Sequence, residues 1–166
     1  RDRLRSRGLG DVYKRQVESG VTSNSVIFAH NGATTAIGTG EQDRVGCVEL
    51  AIYKAYHKYE DILSFRELGL TLYELKAKAG SDKGFADKLA DIQARAREAH
   101  GGLAGSVIIS DGFFPFRDGV DVAMAEGVTA IGQPGGSIRD WEVIQAVNEH
   151  SPQVAMVFTG QRSFKH

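Results

Sequence analysis

The feature that most constrains the fold of this chain is the order of apolar runs across its final third. SVIIS (106–110), VTAIG (128–132) and VAMVFT (154–159) are short and almost wholly apolar, and each pair is separated by a helical pattern. DGVDVAMAEG reads as a short amphipathic helix ending at Gly127; SIRDWEVIQAVNEH places Trp141, Ile144 and Val147 on one helical face. The order is βαβαβ. Strands joined through helices of this length pair in parallel with right-handed crossovers. Apolar runs without polar alternation predict a sheet buried on both faces, with the helices covering it.

That topology predicts where chemistry collects. Parallel strands end at one edge, and ligands of α/β sheets bind in the loops beyond their carboxyl ends. Those loops are SDGFFPFRD, GQPGGS and GQRSFKH, which hold most of the segment's aromatics, paired glycines and arginines. In the first, Pro115 fixes the backbone among Phe113, Phe114 and Phe116, so the rings cannot all face one way and at least one points to a ligand or partner. The plain structural alternative makes Asp118 a helix cap and leaves Arg117 on the surface. GQPGGS opens a helix, so its amides can approach an anion and Ser137 can cap, although the stretch matches neither GxGxxG nor a P-loop. In the last loop Arg162 and Phe164 offer a guanidinium for phosphate and a ring for stacking.

Upstream, SVIFA and ATTAIG flank HNG, and Asn31-Gly32 is the dipeptide of a type I′ hairpin. Val45, Val48, Ile52, Ala55 and Tyr59 then recur at helical spacing, predicting a helix over Asp43 to Lys58. Two more helices are expected between Asp61 and Gly105, the clearer with Phe85, Leu89, Ile92 and Ala96 on one face and Gly101 as its C-cap. Charges of alternating sign mark that region as solvated surface rather than a site.

The 166 residues, 42% hydrophobic, suit one globular domain. No apolar run has the length of a membrane span, which leads to a soluble, cytoplasmic reading. The lone cysteine, Cys47, rules out an internal disulfide and reads as a buried small hydrophobe. His30, His57, His100, His150 and His166 lack zinc-ligand spacing, and no nucleophile elbow is present. The chain starts on Arg1 and its methionines are Met124 and Met156, the pattern of a partial sequence. RDRLRSRGLGDVYKRQ (1–16) carries six basic residues against two acidic and reads as a non-native leader, with a basic RNA-binding arm as its alternative. Beyond it acidic residues outnumber basic ones, 19 to 14, which disfavours nucleic-acid binding.

Taken together, SNSVIFA with GTGEQDRV, ISDGFFPFRDGVD, AIGQPGGSIRDWEVI and the terminal QRSFKH resemble, in order, the C-terminal half of AICAR transformylase, the folate-dependent module of a bifunctional purine-biosynthesis enzyme. The resemblance spans residues 17–166, the region from Asp61 to Gly105 contributing little. It implies a cytidine-deaminase-like layered α/β fold without zinc, here a partial domain: a β-hairpin and helices followed by the βαβαβ unit. It also implies a reaction in which 10-formyltetrahydrofolate formylates the 5-amino group of AICAR, giving FAICAR and tetrahydrofolate, with the IMP cyclohydrolase module lying elsewhere. Asn24 then corresponds to the catalytic asparagine. Arg44, Phe113, Pro115, Phe116, Asp118 and Ser137 correspond to residues lining the nucleotide and folate sites, and Arg162 and Phe164 to nucleotide-contacting residues of the terminal loop. Ser23, Asp111 and His166 lie in segments resembling those around a monovalent cation, K+, in some members.

The family's Lys-His pair, which moves the proton, is not among these segments, and Lys165-His166 matches the basic terminal tail instead. The resemblance therefore implies about half of an active site, completed across a homodimer, and an isolated chain without turnover. Two other readings compete with the enzyme. One is a non-catalytic module that binds a nucleotide or folate; the other is an interaction domain with a phenylalanine-rich docking loop.

Overall fold

The computed structural model describes residues 20–163. β1 (Ser25–His30) and β2 (Ala33–Thr39) form the expected hairpin, paired from Ser25↔Thr39 to His30↔Ala33. Its two-residue turn has Asn31 at φ 50 and Gly32 at φ 79, the doubly left-handed backbone that a type I′ turn requires.

Helix α1 (Arg44–Leu68) follows, capped by the Asp43 carboxylate, which accepts from Gly46 N, and closed by Gly69 at φ 65. It runs a full ten residues past the expected end at Lys58. The apolar period fades there because the sheet no longer supports the helix. Past Ala55 the only fully buried α1 residue is Ser64, whose hydroxyl donates to Leu70 O. Support comes instead from α2 (Leu72–Ala79) and α3 (Lys83–Glu98), which bury Leu72, Leu75, Ile92 and Ala96. Asp61 accepts from the first amide of α2, and Glu67 takes a two-point bond from Arg95 at 2.7 and 2.8 Å. The C-cap of α3 is Ala99, not Gly101; Gly101 lies in the following 3-10 turn at φ 57, where a β-carbon would stand 2.9 Å from Tyr56 N.

β3 (Val107–Ser110), α4 (Asp118–Ala125), β4 (Ala130–Gln133), α5 (Asp140–Glu149) and β5 (Ala155–Phe158) form the βαβαβ unit. The mixed five-stranded sheet has the order β2-β1-β3-β4-β5, with β3, β4 and β5 parallel and β1 antiparallel to both its neighbours. Both crossovers step the same way along the sheet, so right-handedness puts α4 and α5 on one face, where α1 joins them. Val26, Phe28, Ile108 and Ile131 on that face pack with Val48, Ala51, Val120, Ala123, Val143 and Val147 in a single core. The expectation of helices covering both faces is corrected in part: among the described residues α1, α4 and α5 share one face, while the opposite face is closed at β1, where Ile27 is 1% exposed, and open at the edge strand β5, where Val157 is 59% exposed. Apolar strand composition signals that a face needs cover but not what supplies it.

Candidate functional site

Because β1 runs antiparallel to β3, the start of β1 lies at the same sheet edge as the carboxyl ends of β3, β4 and β5. The end of β2 and the first turn of α1 reach that edge too. The hairpin thus delivers Asn24 and Arg44 to the loops that the parallel unit builds.

At the centre is Asp111, 1% exposed, just beyond β3. Its Oδ1 pairs with Arg44, itself 6% exposed. Arg44 Nη1 also donates to Ser25 O at 2.9 Å, and Nη2 donates to Asn24 Oδ1 at 2.9 Å. Asn24 Nδ2 in turn donates to Glu41 O at 3.0 Å and Gln42 O at 3.2 Å. Two carbonyls on one side of the amide and a guanidinium on the other fix which atom is nitrogen, since the flipped amide would set donor against donor. Asn24 O accepts from Gly40 N and from the Cys47 thiol. Burial pushes that thiol up to about 11, against the pull of Arg44, so Cys47 is not a nucleophile at neutral pH.

The three loops meet beside this cluster. Phe114 is fully buried in the core, and its amide donates to the side chain of the buried Gln133 at 2.9 Å, tying the first loop to the end of β4. Phe116 is left exposed and Phe113 half-buried. The Arg162 guanidinium lies 5.0 Å from the Phe113 ring centre, and Arg139 lies 5.1 Å from that of Phe116. Gly136 N donates to Asp140 Oδ2 at 2.8 Å, which folds the paired glycines over the start of α5. Ser163 N donates to Asp111 O at 3.0 Å, fastening the terminal segment to the first loop. The result is a lip of two ring-guanidinium plates around a glycine turn, with an amide and a buried ion pair behind it. Such a lip can stack a flat heterocycle and attract an anion.

Known proteins resemble the segments that build this edge. The AICARFT/IMPCHase bienzyme family model matches residues 13–54, which includes Asn24, Arg44 and the hairpin. The bifunctional purine biosynthesis protein PurH of Aquifex aeolicus is 40% identical over 144 residues, covering 87% of this chain and 20% of that protein. PurH of Persephonella marina is 41% identical over 155 residues, 93% of this chain and 22% of its own length. The chain is similar to the AICARFT/IMPCHase bienzyme family over residues 13–54 and to these two PurH proteins over most of its own length. It spans about a fifth of the length of these relatives.

The residues singled out from sequence fall as follows. Asn24, Arg44, Phe113, Pro115, Phe116, Asp118, Ser137 and Arg162 all belong to segments at this one edge. Phe164, His166 and residues 1–16 lie outside the described residues. Asp118 is the first residue of α4 rather than its cap, and its carboxylate accepts from Gly119 N at 2.7 Å. Ser137 precedes the N-cap Arg139 and accepts from its amide at 3.1 Å. Arg117 sits at the surface as expected, bonded to Asp121 and Glu149. Sequence reasoning missed the pairing of Arg44 with Asp111 and the roles of Gln133, Arg139 and Asp140. A signal existed for Gln133, a polar residue ending an apolar strand. None existed for the Arg44–Asp111 pair, which joins positions 67 residues apart. Among the described residues no three His, Cys, Asp or Glu side chains gather as a metal-ligand set.

Proposed function

We propose that this chain supplies the substrate-holding part of a formyltransferase, in which the 5-amino group of AICAR attacks the formyl carbon of 10-formyltetrahydrofolate. The new N–C bond forms as the formyl–N10 bond breaks, the amine loses a proton, N10 takes one up as it leaves, and FAICAR and tetrahydrofolate result. The observation that carries this reading is the placement of Asn24 beside the aromatic-guanidinium lip, in a chain about 40% identical to two PurH proteins. An imidazole amine conjugated to a carboxamide is a weak nucleophile, so its orientation matters more than its basicity. Asn24 Oδ1 accepts an amine N–H and turns the nitrogen lone pair toward the formyl carbon. Phe113 and Arg162 hold the nucleotide, the ring by stacking and the guanidinium by charge. Pro115, Phe116 and the exposed carboxylate of Asp118 face the folate, and the glycine turn with Ser137 closes the slot.

A monovalent cation fits the same edge. Asp111 Oδ2 is buried without a hydrogen-bond partner, and Ser23 is a buried oxygen donor near the start of β1. Bound there, the ion would offset carboxylate charge and steady the loops. Our reading places the proton-moving Lys-His pair outside this chain and the working enzyme in the cytoplasm as a homodimer that also carries IMP cyclohydrolase.

The test is formyl transfer measured on the full-length enzyme and on this chain alone. Asn24→Ala in the full-length enzyme lowers kcat by about 100-fold, the cost of a misaligned attack, and the isolated chain shows no turnover. Unchanged kcat in Asn24→Ala, or turnover by the isolated chain, overturns the assignment of roles.

A further inference from the structure

We propose that Arg44 is a positioning residue that acts through Asn24, and that the Arg44–Asp111 pair restricts Asn24 to a single hydrogen bond toward substrate, accepted at Oδ1. The proposal rests on the reading of Asn24 given above. An asparagine side chain has two N–H donors and two acceptor sites on its oxygen. Here both donors are spent on Glu41 O and Gln42 O, and one acceptor site is taken by Arg44 Nη2. A single lone pair on Oδ1 is left. The site therefore discriminates by polarity: it receives a group that donates, such as an amine, and has no N–H to offer a carbonyl.

Arg44 stands behind Asn24 rather than at the surface, with three of its five N–H groups committed to Ser25 O, Asp111 and Asn24. It is 6% exposed, Nη1 is shared between Ser25 O and Asp111 Oδ1, and Nε is buried without a partner. A buried guanidinium is stable only with its charge matched, which Asp111 supplies. The three acceptors lie in different directions, and only a forked, planar cation reaches them together; a lysine ammonium keeps the charge but not the fork. Asp111 O in turn receives Ser163 N, so the same pair links Asn24 to the terminal loop that carries Arg162.

The experiment is a double-mutant cycle on the full-length enzyme, with steady-state kinetics for AICAR and 10-formyltetrahydrofolate and a crystal structure of Arg44→Lys. Arg44→Lys is expected to lower kcat by about 30-fold while both KM values stay within about threefold, because alignment is lost and binding is kept. In an Asn24→Ala background the same substitution is expected to change kcat by less than about twofold, since Arg44 then has nothing to orient. Multiplicative losses overturn the proposal by showing that Arg44 works independently of Asn24. If Arg44→Lys does not fold, Arg44→Gln serves in its place, with the same kcat loss expected alone and the same silence expected in the Asn24→Ala background. Asn24→Ala with normal kcat overturns the underlying reading of the site. An undisturbed Asn24 amide in the Arg44→Lys crystal structure overturns the positioning role alone, even if formyl transfer is impaired.

Discussion

Gly135 sits at φ 73, and a β-carbon built there would stand 2.4 Å from Cδ1 of Phe158. Both the backbone and the space exclude a side chain. Gly135→Ala is expected to cost about 2 kcal/mol in chemical denaturation, combining left-handed strain with displacement of the ring; a loss below about 0.5 kcal/mol would show that Phe158 yields freely. Cys47 gives a second residue-scale prediction. Its thiol is raised from 9.0 to about 11 by burial, so on raising the pH the unfolded chain releases this proton first. The stability contribution is therefore complete below 9.0 and is lost as pH climbs toward about 11, amounting to roughly 2–3 kcal/mol. Urea midpoints followed from pH 8 to 11 should fall in the parent chain and fall less steeply in Cys47→Ala, where the Tyr56 phenol, raised to about 12 by burial and its bond to Glu126, still contributes above about pH 10; equal slopes would refute the assignment. The residue roles were unevenly legible. Phe113, Phe114 and Phe116 announce a special loop, but Pro115 constrains only the backbone, and which ring turns inward depends on Gln133 receiving the Phe114 amide. That contact crosses two strands and leaves no local pattern.

At the scale of elements, the hairpin and the βαβαβ unit were readable because their signals are local: an Asn-Gly turn, and apolar runs divided by amphipathic helices. The true length of α1 was not. Its last turns rest on two small helices through Ser64, Asp61 and Glu67, so polar contacts replace the apolar stripe that sequence reading follows. The capping box of α2, in which Thr71 and Glu74 satisfy each other's amides, holds this helical annex. Thr71→Ala is expected to cost about 1 kcal/mol. Because α2 packs on α1 and α3 rather than on the sheet, hydrogen exchange should quicken in 72–79 while the amides of 107–110 and 130–133 keep their protection. Equal loosening of the strands would mean that the annex and the sheet form one cooperative unit.

For the whole molecule, the register aligns Ile37, Ile27, Ile109, Gly132 and Val157 across all five strands, on the face turned away from α1, α4 and α5. Ile27 is 1% exposed and Val157 59%, so this row becomes progressively open toward β5. On the helical side of the same edge, Phe158, Trp141 and Ile144 are also exposed. An edge strand with apolar residues on both faces and open backbone groups is a template for pairing with another chain. The isolated chain is therefore expected to self-associate with rising concentration, seen as a growing sedimentation coefficient. Val157→Lys places a charge in the middle of β5, where its stem can lie along the sheet and its ammonium must reach water, and it opposes pairing without disturbing the core on the helical face. The variant should sediment as a monomer at concentrations where the parent chain associates, with an unchanged unfolding midpoint. If Val157→Lys associates as before, the contact lies on another surface, and the exposed aromatics of the annex, Tyr53, Phe65 and Tyr73, become the next positions to charge.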